Sequence, residues 1–376
     1  MKILVSTALL SPYRVDWLNE LGKYAEVNIL YLEEGNVERN QSWLEKRPQN
    51  CTYRLMKGKR YPKIGKVSYD VIKELKENGK NYDIIILDGY GYATQLLNIQ
   101  YLAKHKIMYF VNIDGAVPKS KENIMAFHMK KRIISKIPYF LCGSKATGKL
   151  LLQYGAKESD IIYHPFTSLF AKEISLKISD ENEKKQLRRK LNISEQYMII
   201  SVGRFSYLGG YGKGYDVLLR AAKLLPDNIG WYIIGGKPTE EFKGLTENAG
   251  LKNIHYVDFK QKDELQNYYR ASDIFVLMTI GDVWGLVINE AMANGLPVIT
   301  TNKCVAGVEL IKNAENGYVI DVGDEKTLAT CVETILGDSI LKDKMGSNAI
   351  SVIRDYTIEN MAHIHMEVFN KYLGEQ

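Results

Sequence analysis

The chain has 376 residues, of which 45 % are hydrophobic and 25 % are charged, so collagen-like, coiled-coil and disordered classes are excluded and about two domains are expected. Its four cysteines are far apart and no histidine cluster accompanies them, so the sequence predicts neither a disulfide framework nor a zinc site. The net charge of +6 is uneven, with +11 on residues 1–179 and −5 on residues 180–376, which favours an anionic partner for the first half unless its lysines only form a solvated surface.

Short apolar segments alternate with amphipathic ones in the first half, a pattern typical of parallel α/β domains. The first apolar stretch, Ile3–Leu10, leads into Ser11 and Pro12 and not into a small-residue cleavage site, so we predict a buried strand and not a signal peptide. No apolar run reaches the roughly 18 residues of a membrane span, which predicts a cytoplasmic protein. The predicted strands are Lys2–Val5, Val27–Leu32, Asp83–Leu87, Met108–Ile113 and Tyr139–Cys142, and the predicted helices are Tyr13–Leu21, Tyr69–Glu77 and Lys145–Tyr154.

The second half repeats this alternation after a charged segment, Ser168–Lys190, which we predict to be irregular. The boundary therefore falls there, with one domain at 1–168 and another at 180–356, and a C-terminal helix within 357–376 that packs back on the first domain. The predicted strands are Met198–Val202, Trp231–Ile234, Ile254–Val257, Ile274–Leu277 and Pro297–Thr300, and the predicted helices are Tyr215–Leu225, Lys262–Ala271 and Leu286–Asn294.

The strongest chemical signal is the segment Ile280–Ile299, which reads Ile-Gly-Asp-Val-Trp-Gly-Leu-Val-Ile-Asn-Glu-Ala-Met-Ala-Asn-Gly-Leu-Pro-Val-Ile. It follows a strand and becomes a helix at Gly285, so the main-chain N–H groups of Gly285, Leu286 and Val287 are predicted at a helix N-terminus that accepts an anion. Asp282 and Glu290 stand on either side of this start, where carboxylates can accept hydrogen bonds from sugar hydroxyls. Their spacing alone is common by chance, and the surrounding residues make it specific.

A second motif lies upstream. The predicted strand Met198–Val202 runs into Gly203 and Arg204, and a glycine-rich loop containing Lys213 then leads into a helix. Positive charge at this place would stabilise a departing diphosphate without a metal ion, and no Asp-x-Asp follows a strand to hold one. The alternative is that Arg204 and Lys213 are ordinary surface ion-pair partners.

Together the two motifs resemble those of the retaining glycosyltransferases of family four, the GT-B enzymes with an E-x7-E motif. The resemblance is close over residues 198–336 and only general over residues 1–166. One departure is Asp282, which stands where the family usually has glutamate. The resemblance implies an α/β protein of the GT-B fold, with two doubly wound Rossmann-like domains facing a cleft.

For function, the resemblance implies a hexosyltransferase that moves a sugar with retention from a nucleotide-sugar donor, expected to be a UDP-sugar, without metal or other cofactor. Arg204 and Lys213 would contact the leaving diphosphate, Glu290 the ribose or sugar hydroxyls, and Asp282 the transferred sugar. Two looser matches suggest that Gly235 follows a strand over the nucleotide and that Phe259 meets the base, although the glycines there could form a plain turn. Capsule or other surface polysaccharide assembly is the expected setting.

The first domain is expected to bind a saccharide or lipid-diphosphate-linked acceptor. Members of the family often carry a histidine after the fourth strand, but the segment Val111–Ala116 contains none. Asp114 is our substitute candidate for positioning hydroxyl groups, and a simple Asp-Gly turn is the alternative. The segment Asp88–Tyr92 ends another strand and is expected near the same place.

Two basic clusters account for much of the charge of the first half. The segment from Lys119 to Ile137 is predicted as a basic amphipathic helix that lies on an anionic membrane, with a packed helix and a solvated basic face as the alternative. The second cluster comprises Lys57, Lys59, Arg60, Lys63 and Lys66.

Three other functions fit the sequence less well. A GT-B-like epimerase would convert the sugar nucleotide with no acceptor. A non-enzymatic protein that binds anionic polymers would explain the basic half, yet no nucleic-acid-binding motif accompanies it, so no nucleic-acid partner is predicted. A dinucleotide-dependent oxidoreductase is disfavoured because Ser6–Ser11 replaces the glycine-rich fingerprint expected after the first strand.

Overall fold

The computed structural model describes residues 1–33, 45–61, 65–116 and 122–374. The chain forms two compact units, one of Met1–Ser168 with Thr357–Gln376 and the other of Leu169–Tyr356. Each unit is built on its own parallel sheet. Within the described residues, none of the helices combines the length and the apolar character that crossing a bilayer requires.

The first unit is a parallel sheet of seven strands in the order β3-β2-β1-β6-β7-β8-β9, with a separate hairpin of β4 and β5. Residues 84–87 of β6 are buried without alternation, as expected for a parallel strand that helices cover on both faces. The strands are β1 (Lys2–Leu9), β2 (Glu26–Glu33), β3 (Thr52–Leu55), β4 (Lys59–Tyr61), β5 (Gly65–Val67), β6 (Ile84–Asp88), β7 (Phe110–Ile113), β8 (Tyr139–Cys142) and β9 (Ile161–Tyr163). The helices are α1 (Pro12–Leu21), α2 (Tyr69–Asn78), α3 (Ala93–Lys104), α4 (Ile124–Ile134), α5 (Lys145–Gln153) and the C-terminal α14 (Ile358–Gly374).

The C-terminal helix α14 packs against α1 inside the first unit. Trp17 Nε1 on α1 donates a hydrogen bond to His365 Nδ1 on α14 over 2.9 Å. The His365 ring meets the His164 ring edge to face at 4.5 Å. Burial lowers the pKa of His164 to about 4 and lowers the pKa of His365 well below its usual value, so both rings are neutral at pH 7. Residues 375–376 of the predicted C-terminal helix lie outside the described residues.

The second unit is a parallel sheet of six strands in the order β12-β11-β10-β13-β14-β15. Its strands are β10 (Tyr197–Val202), β11 (Ile229–Ile234), β12 (Ile254–Val257), β13 (Ile274–Leu277), β14 (Val298–Thr301) and β15 (Gly317–Ile320). Its helices are α6 (Glu181–Lys190), α7 (Tyr215–Ala222), α8 (Glu240–Asn248), α9 (Lys262–Ala271), α10 (Leu286–Ala293), α11 (Val305–Leu310), α12 (Glu325–Gly337) and α13 (Ser339–Ile353).

The prediction of an irregular segment from Ser168 to Lys190 is wrong over its second half, because residues 181–190 form α6. A capping box starts this helix: the Asp180 carboxylate accepts from the Glu183 N–H, and the Glu183 carboxylate accepts from the Asp180 N–H. Lys184 and Arg188 are buried and form ion pairs with Asp273, the residue directly before β13. Charged residues of the segment that was predicted to be irregular therefore attach α6 to the sheet.

Sequence periodicity also missed α3. Its buried face carries three polar residues, Thr94, Gln95 and Asn98, beside Ile99 and Leu102, so its apolar stripe is incomplete. Two of these side chains bind other segments, since Gln95 Nε2 donates to the Ser6 carbonyl over 2.7 Å and the Ser68 N–H donates to the Thr94 hydroxyl over 3.0 Å. A buried polar face of this kind depends on residues distant in sequence.

Candidate functional site

The two motif-bearing loops of the second unit leave the same edge of the sheet. Strands β10 and β13 are parallel neighbours, with Ile199 paired to Ile274, so their carboxyl ends lie side by side. The loop that follows β10 spans residues 203–214, and the loop that follows β13 spans residues 278–285. They are tied together where the Thr279 hydroxyl donates to the Gly212 carbonyl over 2.8 Å.

Lys213 and Asp282 meet at the junction of these loops. Lys213 Nζ donates to Asp282 Oδ2 over 2.6 Å, and the side chains are 15 % and 21 % exposed. The Lys213 stem runs past Gly203, where an added Cβ would stand only 3.3 Å from Lys213 Cδ. The Tyr207 ring lies 5.8 Å from Lys213 Nζ, within cation–π range. The ammonium group is thus held close to the end of β10 while its remaining protons can still reach a ligand.

Glycine is required at two corners of this arrangement. Gly214 has φ 71°, and a Cβ there would lie 2.0 Å from the Met278 carbonyl oxygen, so a side chain would push the two loops apart. Gly285 has φ 100°, and a Cβ there would lie 2.6 Å from Cys304 Sγ. Neither position therefore has room for a side chain.

Helix α10 begins at this edge without a side-chain cap. Gly285 occupies the N-cap position, and helix geometry leaves the N–H groups of Leu286 and Val287 with no acceptor within the helix. A side-chain hydrogen bond stabilises this helix start, because buried Trp284 donates from Nε1 to Asn289 Oδ1 over 2.9 Å. The positive end of the helix dipole therefore stands a few residues along the chain from the Lys213–Asp282 pair, which is an arrangement suited to a phosphate group.

Arg204 directly follows Gly203 and is half-buried at the carboxyl end of β10. Lys213 passes alongside Gly203, so the structure brings both cations to the end of one strand. The Cys304 thiol lies under the same loops, and burial raises its pKa to about 12, which keeps it protonated and unreactive.

Glu290 lies in the second turn of α10 and is joined to α9. The hydroxyl of buried Tyr269 donates to Glu290 Oε2 over 3.0 Å. Burial and the Glu290 carboxylate raise the pKa of Tyr269 well above its usual value, so the phenol remains a hydrogen-bond donor. Glu290 and Tyr269 line a shallow groove whose other lining residues are Leu169, Glu173, Lys262, Asp263, Leu265, Gln266 and Asn294.

Gly235 and Phe259 lie along the same sheet edge, after β11 and β12, the two strands on one side of β10. Gly235 follows β11, and its N–H donates to the Val257 carbonyl over 3.1 Å. Phe259 follows β12 and is 37 % exposed. Tyr269 and Tyr207 were not predicted from the sequence: Tyr269 reaches Glu290 from another helix, and Tyr207 lies in the loop after β10 but is not part of the recognised motif.

Asp114 in the first unit belongs to a network of charged groups after β7. Its carboxylate accepts from Arg14 Nη2 over 2.7 Å, from the Tyr13 hydroxyl over 3.1 Å and from Asn112 Nδ2 over 2.8 Å. Arg14 also pairs with Asp88 over 2.8 Å. Sequence reasoning missed Arg14, although a charged residue beside Val15 and Trp17 on the buried face of a helix is a usable signal.

The basic groups of the first unit differ in their surroundings. Residues Lys63, Lys119 and Lys121 lie outside the described residues. Lys57 and Lys59 are exposed around β4, whereas Arg60 pairs with Glu33 over 2.7 Å. On α4, the large apolar side chains Ile124, Met125 and Met129 are 74 %, 81 % and 59 % exposed, and Lys131 and Arg132 are exposed beside them.

Within the described parts of the chain, no group of three or more His, Cys, Asp or Glu side chains is arranged to hold a metal ion.

Comparison with known families matches residues 183–352 to the model described as "Glycosyl transferases group 1". Among curated proteins, the chain is 26 % identical over 237 residues to the capsular polysaccharide biosynthesis glycosyltransferase CapM of Staphylococcus aureus, covering 60 % of each chain. It is 30 % identical over 183 residues to the D-inositol 3-phosphate glycosyltransferase of Corynebacterium glutamicum, covering 45 % of this chain and 42 % of that protein. The alignments thus span about half the length of these relatives.

Among solved structures, the chain resembles Anabaena HepE in complex with UDP, with a TM-score of 0.78 at 16 % identity. The match covers 99 % of this chain and all of HepE. At this identity the likeness concerns the fold. The prediction of an α/β protein with two Rossmann-like domains of the GT-B type is confirmed by this likeness and by the two parallel sheets.

Proposed function

Because residues 183–352 match the family model of the glycosyl transferases group 1, we propose that this chain is a hexosyltransferase that uses a nucleotide-sugar donor. The observation that carries the proposal is the Lys213–Asp282 pair beside the start of α10. A cation, a carboxylate and unsatisfied main-chain N–H groups meet there, which are the groups that a sugar diphosphate requires.

The leaving group is the first element of the proposed mechanism. Departure of a nucleoside diphosphate puts negative charge on its oxygens, and Arg204, Lys213 and the N–H groups of residues 285–287 offset it. An ammonium group has three donors, so Lys213 can bind a phosphate oxygen while it keeps Asp282. We therefore propose metal-independent transfer.

The donor sugar is the second element. A sugar attached to a diphosphate on Lys213 would bring its hydroxyls next to Asp282, because the two side chains are in contact. Glu290, which already accepts from Tyr269, has further acceptor capacity toward ribose or sugar hydroxyls. We propose that transfer proceeds with retention, because the acceptor hydroxyl attacks the sugar on the same face from which the diphosphate leaves. In this proposal Gly203, Gly235 and Phe259 line the nucleotide.

The donor and the acceptor are proposed by analogy. HepE was solved with UDP, which supports a UDP-sugar, and CapM is named for capsular polysaccharide biosynthesis, which supports a surface polysaccharide setting. We assign the saccharide acceptor, free or lipid-diphosphate-linked, to the first unit, where Asp114 would position hydroxyl groups.

The proposal is tested with purified protein and a panel of UDP- and GDP-sugars. We expect one UDP-sugar to raise the melting temperature and to be consumed in the presence of a saccharide acceptor, with EDTA leaving the rate unchanged. NMR of the product should show an α-linkage from an α-donor. Conversion of the donor without any acceptor would instead identify an epimerase, and an inverted linkage would overturn retention.

We also propose that α4 and the β4–β5 hairpin bring the protein to an anionic membrane. The exposed apolar side chains of α4 stand beside Lys131 and Arg132, the combination that binds acyl chains and anionic headgroups together.

We expect co-sedimentation with phosphatidylcholine vesicles that contain phosphatidylglycerol, and loss of binding at high salt. Met125→Asp should abolish this binding. Ile340 on α13 is 80 % exposed in the other unit, so Ile340→Asp is the matched control and should bind normally. Equal sedimentation of Met125→Asp and wild type would contradict the assignment of α4.

A further inference from the structure

The loop after β10 carries an aromatic side chain, Tyr207, that packs on the main chain beside Lys213. A Cβ at Gly212 would lie 2.3 Å from Tyr207 Cδ1, so the ring rests directly on this glycine. The Gly212 carbonyl accepts from the Thr279 hydroxyl over 2.8 Å and from the Ile280 N–H over 3.2 Å. The Tyr207 ring and the loop after β13 therefore hold the residue directly before Lys213.

The main chain at Tyr207 forms a tight turn. The Tyr207 carbonyl accepts from the N–H groups of Gly210 and Gly212 over 3.1 Å and 3.2 Å. Leu208 follows with φ 50°, a left-handed conformation that a leucine rarely adopts. Such strain persists only where the surrounding structure fixes it, and it clusters at functional sites. The turn leaves Leu208 60 % exposed and keeps the Tyr207 ring on Gly212.

Tyr207 contacts Lys213 and also the segment that carries Asp282. Lys213 Nζ lies 5.8 Å from the centre of the Tyr207 ring, and it donates to Asp282 Oδ2 over 2.6 Å. The Tyr207 hydroxyl donates over 3.4 Å to the carbonyl of Gly281, the residue directly before Asp282. One side chain therefore reaches the ammonium group and the chain segment of its counter-ion.

The ammonium group of Lys213 requires positioning. A lysine ends in a compact charge on a flexible four-carbon stem, in contrast to the rigid planar fork of an arginine. The hydrogen bond to Asp282 restrains this charge along one direction. Cation–π attraction is stronger for an ammonium group that has lost part of its water, and the Lys213 side chain is only 15 % exposed. The Tyr207 ring therefore supplies a second contact that limits where the charge can lie.

We propose that Tyr207 is a positioning residue of the donor site, whose ring holds the Lys213 ammonium group where it meets the leaving diphosphate. This inference rests on the proposed transferase function and adds to it a residue that acts through Lys213. Tyr211 of the same loop has other contacts, since its hydroxyl donates to Glu241 over 2.6 Å and its ring lies 5.1 Å from the Phe242 ring. It therefore provides the matched control.

The first test compares the steady-state kinetics of the full-length wild type, Tyr207→Leu, Tyr207→Phe and Tyr211→Leu. Tyr207→Leu removes the ring, so we expect kcat to fall about tenfold. The KM for the nucleotide sugar should change less than about threefold, because the charge to be stabilised develops during bond cleavage. Tyr207→Phe keeps the ring, and it and Tyr211→Leu should retain wild-type kcat. Wild-type kcat in Tyr207→Leu, or an equal loss in either of the other variants, would overturn the proposal.

The double variant Tyr207→Leu/Lys213→Ala separates positioning from damage to the fold. If Tyr207 acts through Lys213, the loss caused by Tyr207→Leu should largely disappear once Lys213 is alanine, since the effects of residues in contact do not add. A merely structural role would lower kcat by the same factor in both backgrounds and would overturn the proposal.

Trace acetylation with acetic anhydride reports on Lys213 without any turnover. In the ligand-free protein, mass spectrometry should show Lys213 acetylated about threefold faster in Tyr207→Leu than in wild type, because the ring no longer covers and stabilises the ammonium group. The rate is measured relative to Lys223, which is exposed on the same unit. An unchanged relative rate would also overturn the proposal.

These measurements distinguish failure of this inference from failure of the proposed function. If the wild type turns over no nucleotide sugar, the transferase proposal fails, while faster acetylation in Tyr207→Leu still shows that Tyr207 holds Lys213. If the wild type is active and Lys213→Ala is impaired while Tyr207→Leu is not, the positioning role alone is wrong.

Discussion

Lys213→Ala is expected to lower transferase turnover by about 10²–10³-fold, the loss seen when one group that stabilises developing charge is removed. The ammonium group is 15 % exposed and contacts Asp282, so its removal takes away a cation at the leaving diphosphate and leaves the Asp282 carboxylate without its counter-ion. The effect should fall mainly on kcat, because the charge to be stabilised develops during bond cleavage.

The matched control is Lys223→Ala, which removes an exposed lysine at the end of α7 in the same unit. It should retain wild-type turnover, and both variants should melt close to the wild-type temperature. Turnover within about threefold of wild type for Lys213→Ala would contradict the assigned role of this residue and, with it, the metal-independent mechanism.

Asp273→Asn is expected to destabilise the second unit by about 4 kcal/mol, because removing one partner of a buried ion pair typically costs about 3–5 kcal/mol. Asp273 is 1 % exposed and is surrounded by Lys184, Arg188 and Lys342, each less than 10 % exposed on its side chain. The asparagine fits the same space but leaves three buried cations without their shared counter-ion. For a unit of this size the melting temperature should fall by roughly 10 °C.

The pH dependence gives a second measure of the same interaction. Burial alone would raise the pKa of Asp273, but the three cations outweigh it and hold that pKa below its usual value. Its contribution to the free energy of unfolding is therefore complete above about pH 4 and is lost as the pH falls below that.

Urea unfolding at neutral and acidic pH measures both effects. The difference between wild type and Asp273→Asn should shrink as the pH falls below about 4. Asp343→Asn, on the exposed side of α13, is the control and should be neutral at every pH. A destabilisation of less than about 1 kcal/mol at pH 7 for Asp273→Asn would show that the cluster does not anchor α6 and α13.

The positions of the two motif-bearing loops of the second unit could be predicted from the sequence. Each follows a short apolar strand, and the carboxyl ends of neighbouring parallel strands meet at one edge. Glycines at the turns and a helix start after Gly285 add local signals that do not depend on distant residues. The neighbourhood of Lys213 and Asp282 could therefore be predicted, although the 2.6 Å contact between them could not.

Other parts of the two units depend on contacts between distant segments of the chain. Tyr269 reaches Glu290 from another helix, and Arg14 reaches Asp114 across 100 positions of sequence. The charged residues of α6 were misinterpreted because a lysine or arginine is exposed far more often than it is buried. Only the position of Asp273 shows that Lys184 and Arg188 face inward.

By itself, the amino-acid sequence determined the alternation of strands and helices, the parallel sheets and the loops that carry the motifs, because hydrophobic periodicity, glycine conformations and helix starts are local properties of the chain. The tertiary structure alone decided which charged side chains are buried and paired: Arg14 with Asp88 and Asp114, and Asp273 with its three cations. The physical reason is that the energy of a buried charge depends on the position of its counter-ion, and folding places that counter-ion from a distant segment of the chain.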